Sequence, residues 1–220
     1  MNSKNFKTKI VVSIFSLFLT ISSLKAQNIQ SLLSEVSNKV KSYENIQIDF
    51  KYSLENTREN VKQDTRANIT LKGDNYVLNM LGVTRIFDGK TIYTIVPEDE
   101  EVTISNYSKE DDKSISVSEM LTFYENGYNY KMDIQQNIRG RKIQFIKLSP
   151  IDSTTEIKNI LLGIDMQTKH IYKLIQIDSS GTSYTITVNS FKTNQPISQN
   201  LFIFDEEKYI NQGYYINKLE

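Results

Sequence analysis

From Ile46 onward the chain alternates apolar and polar residues, and this period of two constrains the fold more than any other feature. Ile46, Ile48, Phe50, Tyr52 and Leu54 alternate strictly, and Ala67, Ile69 and Leu71 continue the pattern. Lys72-Gly73-Asp74-Asn75 reads as a turn, followed by Tyr76, Leu78 and Met80. Asp88-Gly89-Lys90 marks a tight turn between Thr84–Phe87 and Thr91–Val96, and Pro97 to Glu101 leads into Val102–Tyr107. Further strands are predicted at Tyr128–Ile138, Ile143–Leu148, Ile157–Ile164, Ile171–Ile177, Ser183–Phe191, Leu201–Phe204 and Tyr214–Leu219. Arg139-Gly140-Arg141 and Ser179-Ser180-Gly181 supply turns. Strands joined by short connections predict one large antiparallel meander.

Helical signals are few. Ile29, Leu32, Leu33, Val36, Val40 and Tyr43 follow three- and four-residue spacing and share a stripe, with Ser34, Glu35, Ser37, Asn38 and Lys41 opposite. Ser116 and Glu119 have capping-box spacing, predicting a short helix from Val117 to Tyr124 that Gly127 stops. A turn is expected near Glu206–Ile210. Polar residues alternate too regularly for both sheet faces to be core, so one apolar face, about a dozen strands wide, must be covered by these few elements. The fold class is therefore α+β, a large curved antiparallel sheet whose incomplete cover leaves an apolar cavity.

The N-terminus has the pattern of an export signal. Lys4, Lys7 and Lys9 precede an apolar run from Ile10 to Leu24, and Leu24-Lys25-Ala26 stands before Gln27. The run is shorter than the roughly 20 apolar residues of a spanning helix. The expectation is a signal peptide at 1–26, cleaved on export, and a single domain over 27–220.

Composition narrows the chemistry. Lys+Arg and Asp+Glu each number 26, so the balance gives no reason to expect nucleic acid as a partner. With no cysteine there is no disulfide, thiolate metal site or cysteine nucleophile. The single histidine, His170, follows Thr168-Lys169 at a predicted turn and reads as solvent-facing or at a strand edge. Glu98-Asp99-Glu100-Glu101 reads as a solvated hairpin tip, and Asp111-Asp112 likewise, a weak calcium site there having no support. No phosphate loop or nucleophile elbow is present, so no catalysis, metal or cofactor is expected. The 13 tyrosines and 10 phenylalanines fit either cross-strand packing or the lining of an amphiphile pocket.

Several segments, in order, resemble the LolA-type periplasmic lipoprotein carriers. They are Ile48-Asp49-Phe50-Lys51, Leu71-Lys72-Gly73-Asp74-Asn75-Tyr76, Phe87-Asp88-Gly89-Lys90-Thr91-Ile92-Tyr93 and Pro97 to Val102. Ser116 to Thr122 stands where the family has a short lid helix. Leu148-Ser149-Pro150, Ile160 to Asp165, Leu174 to Asp178 ahead of Gly181-Thr182, and Leu201 to Asp205 are similar to the family's later strands. Where the family carries a latch arginine followed by proline, the nearest match is Lys72 with Gly73. Lysine is not an equivalent donor.

The resemblance implies a half-barrel closed by helices that binds acyl chains on its concave side. It also implies a periplasmic, monomeric carrier taking lipoproteins from an inner-membrane ABC release complex toward an outer-membrane acceptor. The alternative is a lipid or lipoprotein sensor or scaffold on the same fold. Strand parity gives as cavity wall Phe50, Tyr52, Ile69, Leu71, Tyr76, Leu78, Met80, Phe145, Ile186 and Val188, with the inward parity left open. Met120 and Leu121 are the expected lid side chains.

Overall fold

A computed structural model describes residues 28–107 and 121–219. The expected signal peptide, Asp111-Asp112 and the lid residue Met120 lie outside the described residues. Helix α1 covers 28–41, and its apolar stripe is buried as Ile29, Leu32, Leu33, Val36 and Val40. Ser37, expected on the polar side, is buried as well, because a later segment packs against it. Past the helix, Asn45 pins the chain: its amide donates to the Gln195 carbonyl at 2.9 Å, and its side-chain oxygen accepts from Gln195 N at 3.1 Å. A buried amide satisfied on both sides fixes where the first strand begins.

Twelve strands follow. They are β1 (Ile46–Asn56), β2 (Val61–Lys72), β3 (Asn75–Met80), β4 (Val83–Phe87), β5 (Thr91–Val96), β6 (Glu101–Asn106), β7 (Tyr128–Ile138), β8 (Arg141–Pro150), β9 (Ile157–Asp165), β10 (Ile171–Asp178), β11 (Ser183–Thr193) and β12 (Tyr215–Leu219). They form one open sheet in the order β12-β6-β5-β4-β3-β2-β1-β11-β10-β9-β8-β7. Two antiparallel meanders, β1–β6 and β7–β11, meet at the β1/β11 pair, and β12 adds to β6 in parallel. A bulge between Asp49 and Phe50 interrupts the β1/β11 register. Helix α2 (Glu206–Asn211) is capped by Asp205, whose side chain accepts from Lys208 N.

The sheet carries helix α1 on one face, where two core clusters form. In the first, Ile29, Leu32, Leu33 and Val36 meet Ile146, Leu148, Ile160, Leu162 and Ile164. In the second, Val40 meets Ile46, Ile48, Ile69, Leu71, Tyr76, Phe87 and Ile92.

Two expectations need correction. Both faces carry core residues over β3–β6: Val77, Ile86, Ile95 and Val102 point away from the buried Tyr76, Phe87 and Ile92, and are buried with Phe202. Leu201–Phe204 is not a strand. Leu201, Phe202 and Phe204 instead form a strap over this second face, turning through Leu201 N to Ser198 O at 3.2 Å and Ile203 N to Asn200 O at 3.1 Å.

Candidate apolar binding face

Residues paired across neighbouring strands point to the same side of a sheet, so the register places the predicted wall directly. Phe50 pairs with Ala67 on one side and Val188 on the other, and Tyr52 pairs with Ile186. Ile69 pairs with Leu78, Leu71 with Tyr76, and Ala67 with Met80. Phe50, Tyr52, Ile69, Leu71, Tyr76, Leu78, Met80, Ile186 and Val188 therefore share the face that carries α1. Phe145 does not. It pairs with Gly163, whereas its neighbour Ile146 pairs with Leu162 beneath the helix. Its ring lies across Gly163, where an added Cβ would come within 2.8 Å of Phe145 Cε1, so glycine makes room for the ring on the second face.

The helix-bearing face divides into two parts. Ile69, Leu71 and Tyr76 are buried in the second cluster, under the C-terminal turn of α1. Phe50, Tyr52, Leu78, Met80, Ile186 and Val188 are only half-buried. Register adds Leu54, Val83, Leu174 and Tyr184, all half-buried, to this open part. Sequence reasoning passed over these four, although the same alternation carries them. Between the large side chains, β2 contributes only Ala67 and Thr65, which leaves low ground between Phe50 and Met80.

At the C-terminal end of α1, beside the turn from β2 to β3, a cavity of about 290 Å³ is lined by Val40, Tyr43, Ile46, Leu71, Leu121 and Thr122 among others. Leu121, the described member of the expected lid pair, is half-buried against the second cluster. The described end of the predicted 117–124 helix is a single 3₁₀ turn, Phe123–Glu125. Residues 117–120 lie outside the described residues.

That turn is fastened to α1. Tyr124 is fully buried, and its hydroxyl has no hydrogen-bond partner. Burial, reinforced by Glu125, pushes its pKa up. The Glu125 carboxylate accepts from the Ser37 hydroxyl and from Lys41 Nζ at 2.9 Å and 3.2 Å. The Ser37 hydrogen bond first, and Lys41 second, hold Glu125 below its ordinary value. Tyr130 completes the fastening by donating to the carbonyls of Tyr124, at 2.6 Å, and Glu125, at 3.1 Å.

His170 is not solvent-facing. It stacks on Phe191 with centroids 4.0 Å apart, and its Nε2 lies 2.8 Å from the Tyr43 hydroxyl. Burial is the main cause that lowers its pKa, with Lys39 second. Lys72 is exposed at the end of β2. The acidic residues Glu98, Asp99 and Glu100 form the exposed tip between β5 and β6. Among the described residues no helix is long and apolar enough to cross a membrane.

Solved structures resemble this one at low identity. An uncharacterised conserved protein from Thermus thermophilus is 8% identical, with 87% of this chain and 99% of that one covered and a TM-score of 0.58, which shows the fold. A LolA superfamily protein from Nitrosomonas europaea is 13% identical, covering 80% and 97%, at a TM-score of 0.44. The Mycobacterium tuberculosis lipoprotein LppX is 16% identical, covering 76% and 97%, at 0.46. No curated protein sequence matches. The family described as outer membrane lipoprotein carrier protein LolA matches residues 82–205, from the turn before β4 to the cap of α2 and more than half of the chain. The open sheet, the α1-bearing apolar face and this match converge on one conclusion: the chain belongs to the LolA family.

Proposed function

We propose that the protein is a periplasmic carrier that shields lipoprotein acyl chains on the open part of its helix-bearing face. The observation that carries this reading is the row of large apolar side chains of one parity, from Tyr52 and Phe50 to Leu78 and Met80, left half-exposed beside a buried core of the same parity. A contiguous apolar surface of this kind on one side of a sheet marks a binding surface. Family membership supplies the cargo class.

Each methylene moved out of water contributes about 0.8 kcal/mol. Full burial of a triacylated anchor would pass the practical affinity ceiling of about 20 kcal/mol, and a carrier must release. A half-open face suits that requirement: it shields part of the chains and leaves the rest to a movable cover. In this reading the sheet curves as a half-barrel around the cargo, Met120 and Leu121 belong to the cover, and the role is binding rather than catalysis. The protein acts as an exported monomer after loss of residues 1–26. It receives lipoproteins from an inner-membrane ABC release complex and delivers them to an outer-membrane acceptor.

An environment-sensitive apolar dye tests the reading. The dye is expected to gain fluorescence on the purified protein and to be displaced by long-chain lipids, and native mass spectrometry should find lipid or lipoprotein co-purifying. A protein that neither binds dye nor co-purifies with lipid would overturn it.

A further inference from the structure

We propose that Arg85 is the anchor for the anionic head group of an acyl amphiphile whose chain lies on the open part of the helix-bearing face; the assignment rests on the acyl-binding reading of that face. Arg85 is in the middle of β4, paired with Leu78 of β3 and Thr94 of β5. Leu78 belongs to the apolar wall, so Arg85 projects to the same side. Among the residues that the registers of β1 to β6 and of β11 put on this face, Arg85 is the only cation.

The environment of the guanidinium points to a missing partner. Its Nε is shielded from solvent and has no hydrogen-bond partner, and no ion pair among the described residues includes Arg85. A shielded donor without an acceptor costs stability unless a ligand supplies one.

Position matches the task. On one side of Arg85 lie Leu78 and, in the same cross-strand row, Ile69 and Ile48; the next row toward the open part is Met80, Ala67 and Phe50. On the other lie Thr94 and its partner Thr103, a strip of hydroxyls. Neighbouring strands are about 4.8 Å apart, so β1 and β4 are separated by roughly 14 Å, the reach of a medium-length acyl chain. A chain laid obliquely across β1–β3, over Phe50, Ala67 and Met80, would bring its head to the fork of Arg85. That planar fork fits a carboxylate or phosphate with two parallel hydrogen bonds, strengthened where water is excluded.

The shared chemistry is an anionic oxygen head on an acyl chain, and competition for a bound apolar dye at neutral pH separates its sources. A fatty acid is compared with its methyl ester, and a lysophosphatidic acid with the monoacylglycerol of equal length. On the wild-type protein at least one charged member is expected to compete about tenfold better than its neutral counterpart. Arg85→Met should erase that preference and leave the neutral compounds unchanged. Arg85→Lys, which keeps the charge without the fork, should lose part of it. A wild-type protein that ranks both pairs equally overturns the assignment, as does a preference that survives in Arg85→Met. If neither the charged nor the neutral compounds compete, the acyl-binding reading falls, and this assignment with it.

Discussion

Two parts of one sheet face differ here in what lies over them. Beneath α1 and the Phe123–Glu125 turn, Ile146, Leu148, Ile160, Leu162 and Ile164 are buried together with Tyr124. Across the sheet, Phe50, Tyr52, Leu78, Met80, Ile186 and Val188 have the same parity and the same apolar character, yet stay half-exposed. Residue type does not separate the two parts; the reach of α1 does. Its stripe begins over β8 and β9 at Ile29 and ends at Val40 over β1 and β2, and no described element continues over the far ends of those strands. Full burial of a large aliphatic side chain is worth about 1.5–3 kcal/mol, so the covered part holds the fold while the open part keeps apolar surface exposed.

Truncation on each side gives the largest test of this division. Leu162→Ala, in the fully buried part, should lower the unfolding free energy by about 3 kcal/mol through lost burial and a cavity, with apolar-dye affinity unchanged. Ile186→Ala, in the open part, should cost about 1 kcal/mol or less and weaken the dye instead. Denaturant titrations read the first quantity and dye titrations the second. If both variants lose both properties alike, the face is one unit and the comparison fails.

A smaller change in stability is expected at the cavity beside the C-terminal end of α1. Leu121→Glu places a charge at the mouth of the cavity beside Leu71 and Val40. Because Leu121 is half-buried, the charge can keep its water, so the melting temperature should move by only a few degrees, roughly the effect of 1 kcal/mol. Lipoprotein or dye uptake should fall strongly. A collapse of the melting temperature would place Leu121 with the structural core rather than with the entrance.

The smallest effect concerns the fastening of the turn to α1. Glu125 has its folded pKa depressed below the ordinary 4.5 by Ser37 and Lys41, so its contribution is complete above the unfolded value and is lost as pH falls through the folded one. The carboxylate is 35% exposed, and solvent screening keeps the contribution small. Glu125→Gln should therefore narrow its stability gap to the wild type as pH falls below that ordinary value. Thermal melts across acidic pH measure the gap; one that stays constant would mean the ion pair does not hold the turn.

The period of two made most strands and the α1 stripe legible, because turns such as Asp88-Gly89-Lys90 break it at clear points. It failed where both parities are apolar. In β8, Ile143 and Phe145 take one side while Ile146 and Leu148 take the other, so the sequence does not say which pair faces the helix, and only register against Gly163 and Leu162 decides. The Leu201–Phe204 strap was illegible for a related reason: a continuous apolar run fits a buried strand as well as a cap. Arg85 gave no signal, since one charge inside Thr84–Phe87 looks like an ordinary solvent-facing position until pairing with Leu78 shows its side.

The join between the two meanders governs how the chain can assemble. Each meander pairs neighbours close in sequence, but β1 borders β11, and their register matches Ile46 to Thr193. During synthesis β1 exists long before its second neighbour, and one of its edges stays unpaired through the making of ten later strands. Closing that join is the high-contact-order step and sets the pace of folding. The interval in which the β1 edge stands open is when the chain is most exposed to edge-to-edge aggregation, so a holdase that masks β1 would protect it more than one that masks any later strand.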